Sequence, residues 1–195
     1  MSGPTISPSA GGTASVRLAM PAEAAAIAGL QRRVWQADPD LAGVLGSVSG
    51  EQMTESWWRA IATPPLAELR VLVALEPPAE STGRSRQGRQ LRGFAAIGPS
   101  EDPDAEPTDA LVAELLVDPD HRGEGHGSRL LNAVVDTLRA DRFSRATCWL
   151  RSTDDRARAF LTGAGWAPDG AHRQTGTPDG SVRIKEIRLH TWIAE

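Results

Sequence analysis

The run Leu111-Val112-Ala113-Glu114-Leu115-Leu116-Val117 leads through Asp118-Pro119-Asp120 into a loop dense in glycine, and it constrains this chain more than any other stretch. Almost wholly apolar, the run reads as a central strand covered on both faces. Behind the loop, Leu130, Leu131, Val134, Val135 and Leu138 recur at helical spacing and mark an amphipathic helix. A strand, a tight glycine turn and a helix in this order form an anion cradle. The first helical N–H groups have no intrahelical partner, and the helix dipole adds about half a positive charge at that end. Gly123, Gly125 and Gly127 let a phosphate approach the backbone without meeting a Cβ, and Arg122 adds a fixed charge.

The rest of the chain supplies neighbours for this unit. Val16-Arg17-Leu18 reads as a short strand stopped by Pro21, and 22–36 as a helix with Ile27, Leu30 and Val34 on one face. A second helix is predicted over 51–62, where Met53, Trp57, Trp58 and Ile61 recur on one side before Pro64-Pro65. Strands follow at 69–75 and 91–97, joined by a long hairpin loop over 76–90. After the glycine loop and its helix come a strand at 146–151 and a helix from Thr153-Asp154 to a C-cap at Gly165. A loop is predicted over 168–180 and a last strand over 182–192. The order β-α-α-β-β-β-α-β-α-β, with room for a short strand after Trp166, predicts one α/β domain over 15–195 with a mixed central sheet flanked by helices. Residues 1–14, rich in Ser, Gly, Pro and Thr, read as a disordered tail.

Composition narrows the function. The 195 residues include 40% hydrophobic ones, enough for a core, and the net charge of −4 argues against a binder of nucleic-acid backbone. No stretch approaches the roughly 20 apolar residues needed to span a bilayer, and no secretory signal opens the chain, so no membrane is expected and the cytoplasm is the expected compartment. Cys148 stands alone, which precludes an intramolecular disulfide and a thiolate-built metal cluster; it reads as a buried small hydrophobe, and no metal is expected.

Three phosphate-binding patterns compete for the loop. A Walker loop needs Gly-Lys-Ser/Thr, and Ser128-Arg129 follow Gly127 instead. The dinucleotide fingerprint needs a third glycine where Ser128 stands, near the start of its domain rather than this far along it. Gln/Arg-x-x-Gly-x-Gly/Ala is met by Arg122-Gly123-Glu124-Gly125-His126-Gly127. On this hexapeptide, and on its context over 111–166, the chain resembles the GNAT superfamily of N-acetyltransferases. The context includes the strand–Val-x-Pro–loop–helix order, present as Leu116-Val117-Asp118-Pro119, and a second motif read as Asp154-Asp155-Arg156-Ala157, Phe160-Leu161 and Gly165-Trp166. A weaker resemblance covers 16–35.

The resemblance implies a GNAT fold, acetyl-CoA as co-substrate and an amine, on a small molecule or a peptide, as acceptor, with direct transfer in a ternary complex. It implies that the strand before the loop splays from its neighbour, so that the pantetheine arm pairs with Leu115, Leu116 and Val117. The pyrophosphate would lie on the amides of Arg122, Gly123, Glu124, Gly125, His126, Gly127 and Ser128. A side chain at Gly125 or Gly127 would obstruct it or force an unfavourable backbone angle. Asp154 stands where the family has an Asn near the cofactor. The backbone N–H near Val117 would hold the thioester carbonyl. Relatives are often homodimers.

For the base, Glu114 is the candidate, one of few charged residues within an apolar central strand; the plainer reading pairs it with an Arg on a neighbouring strand. His126 reads as a packing or helix-start residue, and His121 as a more remote candidate for a proton relay through water. The family's usual acid for the leaving thiolate is a Tyr, its position holds Leu161, and the chain contains no tyrosine. Ser152 and Thr153 lie nearby but are weak acids. The missing Tyr keeps open a second reading, a catalytically weak acyl-CoA sensor or regulatory module. On the acceptor side, Trp35, Trp57, Trp58, Trp166 and Trp192 could form an aromatic wall or be core, and the acidic stretch 101–106 could attract a basic acceptor.

Overall fold

The computed structural model describes residues 14–76, 89–177, 180 and 182–194. The expected tail, up to residue 13, and the expected hairpin loop over 77–88 lie outside them. Seven strands form one sheet in the order β1-β2-β3-β4-β5-β7-β6. They are β1 (Ser15–Leu18), β2 (Arg70–Glu76), β3 (Gln90–Pro99), β4 (Asp109–Val117), β5 (Arg145–Arg151), β6 (Ala167–Gly176) and β7 (Arg183–Trp192). Only β4 and β5 run parallel; every other pairing is antiparallel.

The helices are α1 (Ala24–Gln36), α2 (Pro39–Ala42), α3 (Gly50–Ala62), α4 (His126–Ala140) and α5 (Asp155–Gly163). The α1 stripe buries Ile27, Leu30 and Val34 against Val71, Val73, Leu75 and Phe94, with Trp57 of α3 alongside. Across the sheet, Leu130, Leu131, Val134 and Leu138 of α4 and Leu161 of α5 cover Leu72, Ala95, Val112, Cys148 and Leu189. The central strands are therefore covered on both faces, which is why they read as continuous apolar runs. α3 starts at a capping box, in which Ser49 and Gln52 satisfy one another's backbone N–H.

Two expectations change. The short helix α2 follows α1 directly, begun by Asp38, whose side chain accepts from the Asp40 N–H. The stretch 168–180, expected as a loop, is mostly strand β6. Its side chains are exposed almost throughout, so no apolar alternation marks it, and Pro168 and Gly170 read as turn residues. Backbone pairing with β7 holds it, with a bulge between Pro168 and His172. The helix stop at Gly165 is as expected. Gly165 takes φ +88°, its N–H reaches the Thr162 carbonyl, and the Trp166 N–H reaches Leu161 at 3.0 Å.

Candidate acetyl-CoA site

β4 and β5 pair over three residues, Asp109, Ala110 and Leu111 against Arg145, Ala146 and Thr147. Both strands then continue, to Val117 and Arg151, without pairing further. A bulge bends β4 at the point of parting: Ala96 faces Glu114 and Ile97 faces Val112, leaving Ala113 as the extra residue. Beyond it, Glu114, Leu115, Leu116 and Val117 have a strand on one side only and are all half-buried. The splay implied for the pantetheine arm is thus present in the backbone.

At the end of β4 the chain turns through Asp118. This carboxylate is buried and accepts from Arg33 of α1 at 2.7 Å and from the Asp120 N–H at 3.3 Å. Burial pushes its carboxyl up, but Arg33 and the amide outweigh burial and hold it below the usual range. The glycine loop follows. Gly123 and Gly125 take φ +87° and +81°, and Gly125 is the N-cap of α4. Gly127 lies inside the helix; a Cβ there would meet Phe160 Cζ at 3.4 Å and Val117 Cγ2 at 3.6 Å, ordinary contacts. The backbone constraint therefore sits at Gly123 and Gly125, and Gly127 marks where α5 and β4 close on the loop. Arg122 and Ser128 are exposed, and among the described residues Arg122 pairs with no carboxylate.

Arg129, which no sequence pattern singles out, braces this turn by donating to the Glu124 carbonyl at 3.2 Å and lying against Gly125. His126, the first residue of α4, is buried, as a helix-start packing residue would be. His121 Nδ1 lies 3.2 Å from Glu124 Oε2. Asp154 caps α5, accepting from the Ala157 N–H at 2.9 Å, and pairs with Arg151 at 3.1 Å, so both its oxygens are engaged within the protein.

Glu114 points toward α1. Gln31 Nε2 donates to its Oε1 at 3.3 Å, and Gln31 Oε1 accepts from Trp57 Nε1 at 2.8 Å. Its partner is thus a neutral amide from α1, not an arginine from a neighbouring strand. Burial pushes the carboxyl up to about 7, opposed by the Gln31 bond and reinforced by Glu186 of β7. Such a group changes its proton near neutrality. Neither Gln31 nor Glu186 was legible as a site residue, because each meets Glu114 across a long stretch of chain and lies on no motif.

Leu161, at the position of the missing Tyr, is buried with Trp166 and the α4 residues. Cys148 is buried on β5, and burial pushes its thiol up to about 12, as expected of an inert core residue. The tryptophans do not form one wall. Trp35 and Trp57 pack beneath α1 and α3, Trp166 lies across the sheet, and Trp58 and Trp192 are exposed. Asp102 and Asp104 of the acidic stretch are spent on Arg188 of β7, a buried guanidinium also bound by Asp169.

The sheet thus parts beside a helix-borne glycine turn, with the half-buried Glu114 carboxyl at the parting. Residues 34–166 match the acetyltransferase (GNAT) family. The chain belongs to that family. Mycothiol acetyltransferase of Beutenbergia cavernae is 36% identical over 73 residues, which are 36% of this chain and 25% of that protein. The chain therefore matches about a quarter of that relative's length. Among solved structures, YncA of Salmonella typhimurium with its cofactor acetyl-CoA superposes at a TM-score of 0.67, with 19% identity over 94% of this chain and 96% of that one. An N-acetyltransferase of Staphylococcus aureus gives 0.69, with 13% identity over 94% and 100%. These likenesses concern the fold. Among the described residues no helix is long and apolar enough to cross a membrane.

Proposed function

We propose that this chain transfers the acetyl group of acetyl-CoA to a primary amine, directly, in a ternary complex, with Glu114 as the base. The observation that carries the reading is the place of Glu114: a carboxyl pushed up to about 7, on the strand that parts from β5, ahead of the glycine turn. The residues fit the co-substrate. The amides of the turn and the exposed Arg122 suit a pyrophosphate, and the unpaired edge of β4 from Glu114 to Val117 suits the amides of a pantetheine arm. Bound acetyl-CoA would supply an activated acyl group with a thiolate leaving group.

The protein's part is to order the two reactants and move one proton. The amine nitrogen attacks the thioester carbonyl carbon, and the N–C bond forms as the C–S bond breaks. Glu114 takes the amine's proton, and the thiolate leaves. Leu161 cannot donate, so solvent protonates the thiolate. Gln31, itself fixed by Trp57, holds the carboxylate in register and satisfies it when charged.

Release of CoA thiol, measured with a panel of amines that includes the acceptor of mycothiol acetyltransferase, tests the reading. At least one amine should accelerate release. Glu114→Gln should lower that rate by about 100-fold or more while leaving acetyl-CoA affinity within a few-fold. The absent Tyr favours one other reading, an acyl-CoA sensor. Acetyl-CoA binding with no amine accelerating release would select it.

A further inference from the structure

His126 Nε2 is buried and makes no hydrogen bond. A polar nitrogen stranded in this way is destabilising unless something satisfies it. Glu124 Oε2 stands 3.4 Å from it but out of hydrogen-bonding line. The Glu76 carboxylate, at the end of β2, closes the cluster: the three residues can each offer one ligand atom within 4.8 Å of the others.

Arg129 Nη1, which can only donate, faces His126 Nδ1 at 3.4 Å. A neutral ring accepting at Nδ1 leaves an Nε2–H aimed among carboxylates without a bond. A cation at Nε2 would satisfy the nitrogen and the two carboxylates together. Arg92 takes one oxygen of Glu76, Oε2, at 2.6 Å and leaves Oε1. His121 Nδ1 lies 3.2 Å from the same Glu124 oxygen and can orient it from behind, as outer partners orient metal-bound carboxylates.

We propose that Glu76, Glu124 and His126 form a site for a divalent first-row transition cation, with zinc(II) the occupant. Zinc–ligand bonds of about 2.0–2.2 Å put neighbouring tetrahedral ligand atoms about 3.3–3.6 Å apart. The Glu124–His126 separation of 3.4 Å already meets this, and Glu76 needs to close by at most about 1.5 Å. One imidazole and two carboxylates suit zinc(II) rather than magnesium, which demands octahedral oxygen. The cation has a structural part: it ties the glycine turn to the end of β2. The scarcity of cysteine, which led to the expectation of no metal, has no bearing on an imidazole–carboxylate set. Binding moves the ring proton from Nε2 to Nδ1, and Arg129, an exposed side chain, gives up its contact.

The test uses the full chain, stripped with chelator and free of acetyl-CoA, titrated calorimetrically with zinc(II). One ion per chain is expected, with a rise in Tm that magnesium at the same concentration does not give. Glu124→Gln, at a half-exposed side chain, should weaken binding at least tenfold, as should Glu76→Gln. Nitrogen-15 spectra of the histidines should show one ring changing tautomer on addition of zinc(II), and His126→Gln should abolish that signal. No stoichiometric binding, or equal affinity in wild type and Glu124→Gln, overturns the proposal. Neither readout depends on transfer activity, so a failure here is distinct from a failure of the proposed function.

Discussion

At Glu114 the protonation of one carboxyl is linked to folding. Its carboxyl is pushed up to about 7 in the fold, from an ordinary 4.5. Between these values the folded protein keeps a proton that the unfolded chain gives up, so this group makes stability fall as pH rises through that window. Glu114→Gln should escape the loss and be more stable than wild type at pH 8, by roughly 1–3 kcal/mol, with no advantage from titration below pH 4.5. A scan of Tm against pH for both proteins checks this. The same residue, as a base, should make turnover climb through pH 7. Gln31→Ala removes the bond that lowers its pKa, so the acid limb of the rate profile should move to higher pH, which a pH–rate series would show. Glu114 was legible because a charge stands out within an apolar strand. Gln31 was not, since a glutamine on a helix reads as surface until the fold brings it 3.3 Å from a carboxylate 83 residues away.

At the scale of the element, the glycine turn separates backbone need from packing. Gly125 takes φ +81°, where a Cβ is strained and would also press on Arg129 at 3.3 Å. Gly125→Ala should cost about 1–2 kcal/mol of stability and at least tenfold in acetyl-CoA affinity. Gly127→Ala, with ordinary contacts, should change either by little. Calorimetry with acetyl-CoA and thermal melts of the two variants would check the contrast. The turn, β4 and α4 could be read from the sequence because periodicity and glycine spacing agree there. β6 could not, since its side chains are exposed and its order comes from pairing to β7, a partner that local sequence does not reveal.

Across the whole molecule, long-range ion pairs fasten the outer parts to the sheet. Arg188 gathers Asp102, Asp104 and Asp169 from two segments, and Trp149 lies under it at 5.5 Å. The Arg188 bond holds the Asp104 carboxyl down to about 2, below its ordinary 3.8. A depressed folded value means stability present above 3.8 and lost as pH falls toward 2. The clamp should therefore begin to fail between these pH values, visible as loss of near-ultraviolet circular dichroism. Arg188→Ala leaves three carboxylates facing one another and should destabilise the fold by about 3–5 kcal/mol at pH 7, measured by denaturant unfolding.

The three-residue pairing of β4 with β5 has a consequence in time as well as in shape. Amides of Glu114 to Val117 that face the gap pair with no strand, so they should exchange hydrogen for deuterium faster than amides of the same strand that face β3. A ligand that lies in the gap as a surrogate strand would slow those few amides and leave the rest of the sheet unchanged. Exchange mass spectrometry with and without acetyl-CoA would then record the docking of the pantetheine arm, before any acceptor is known.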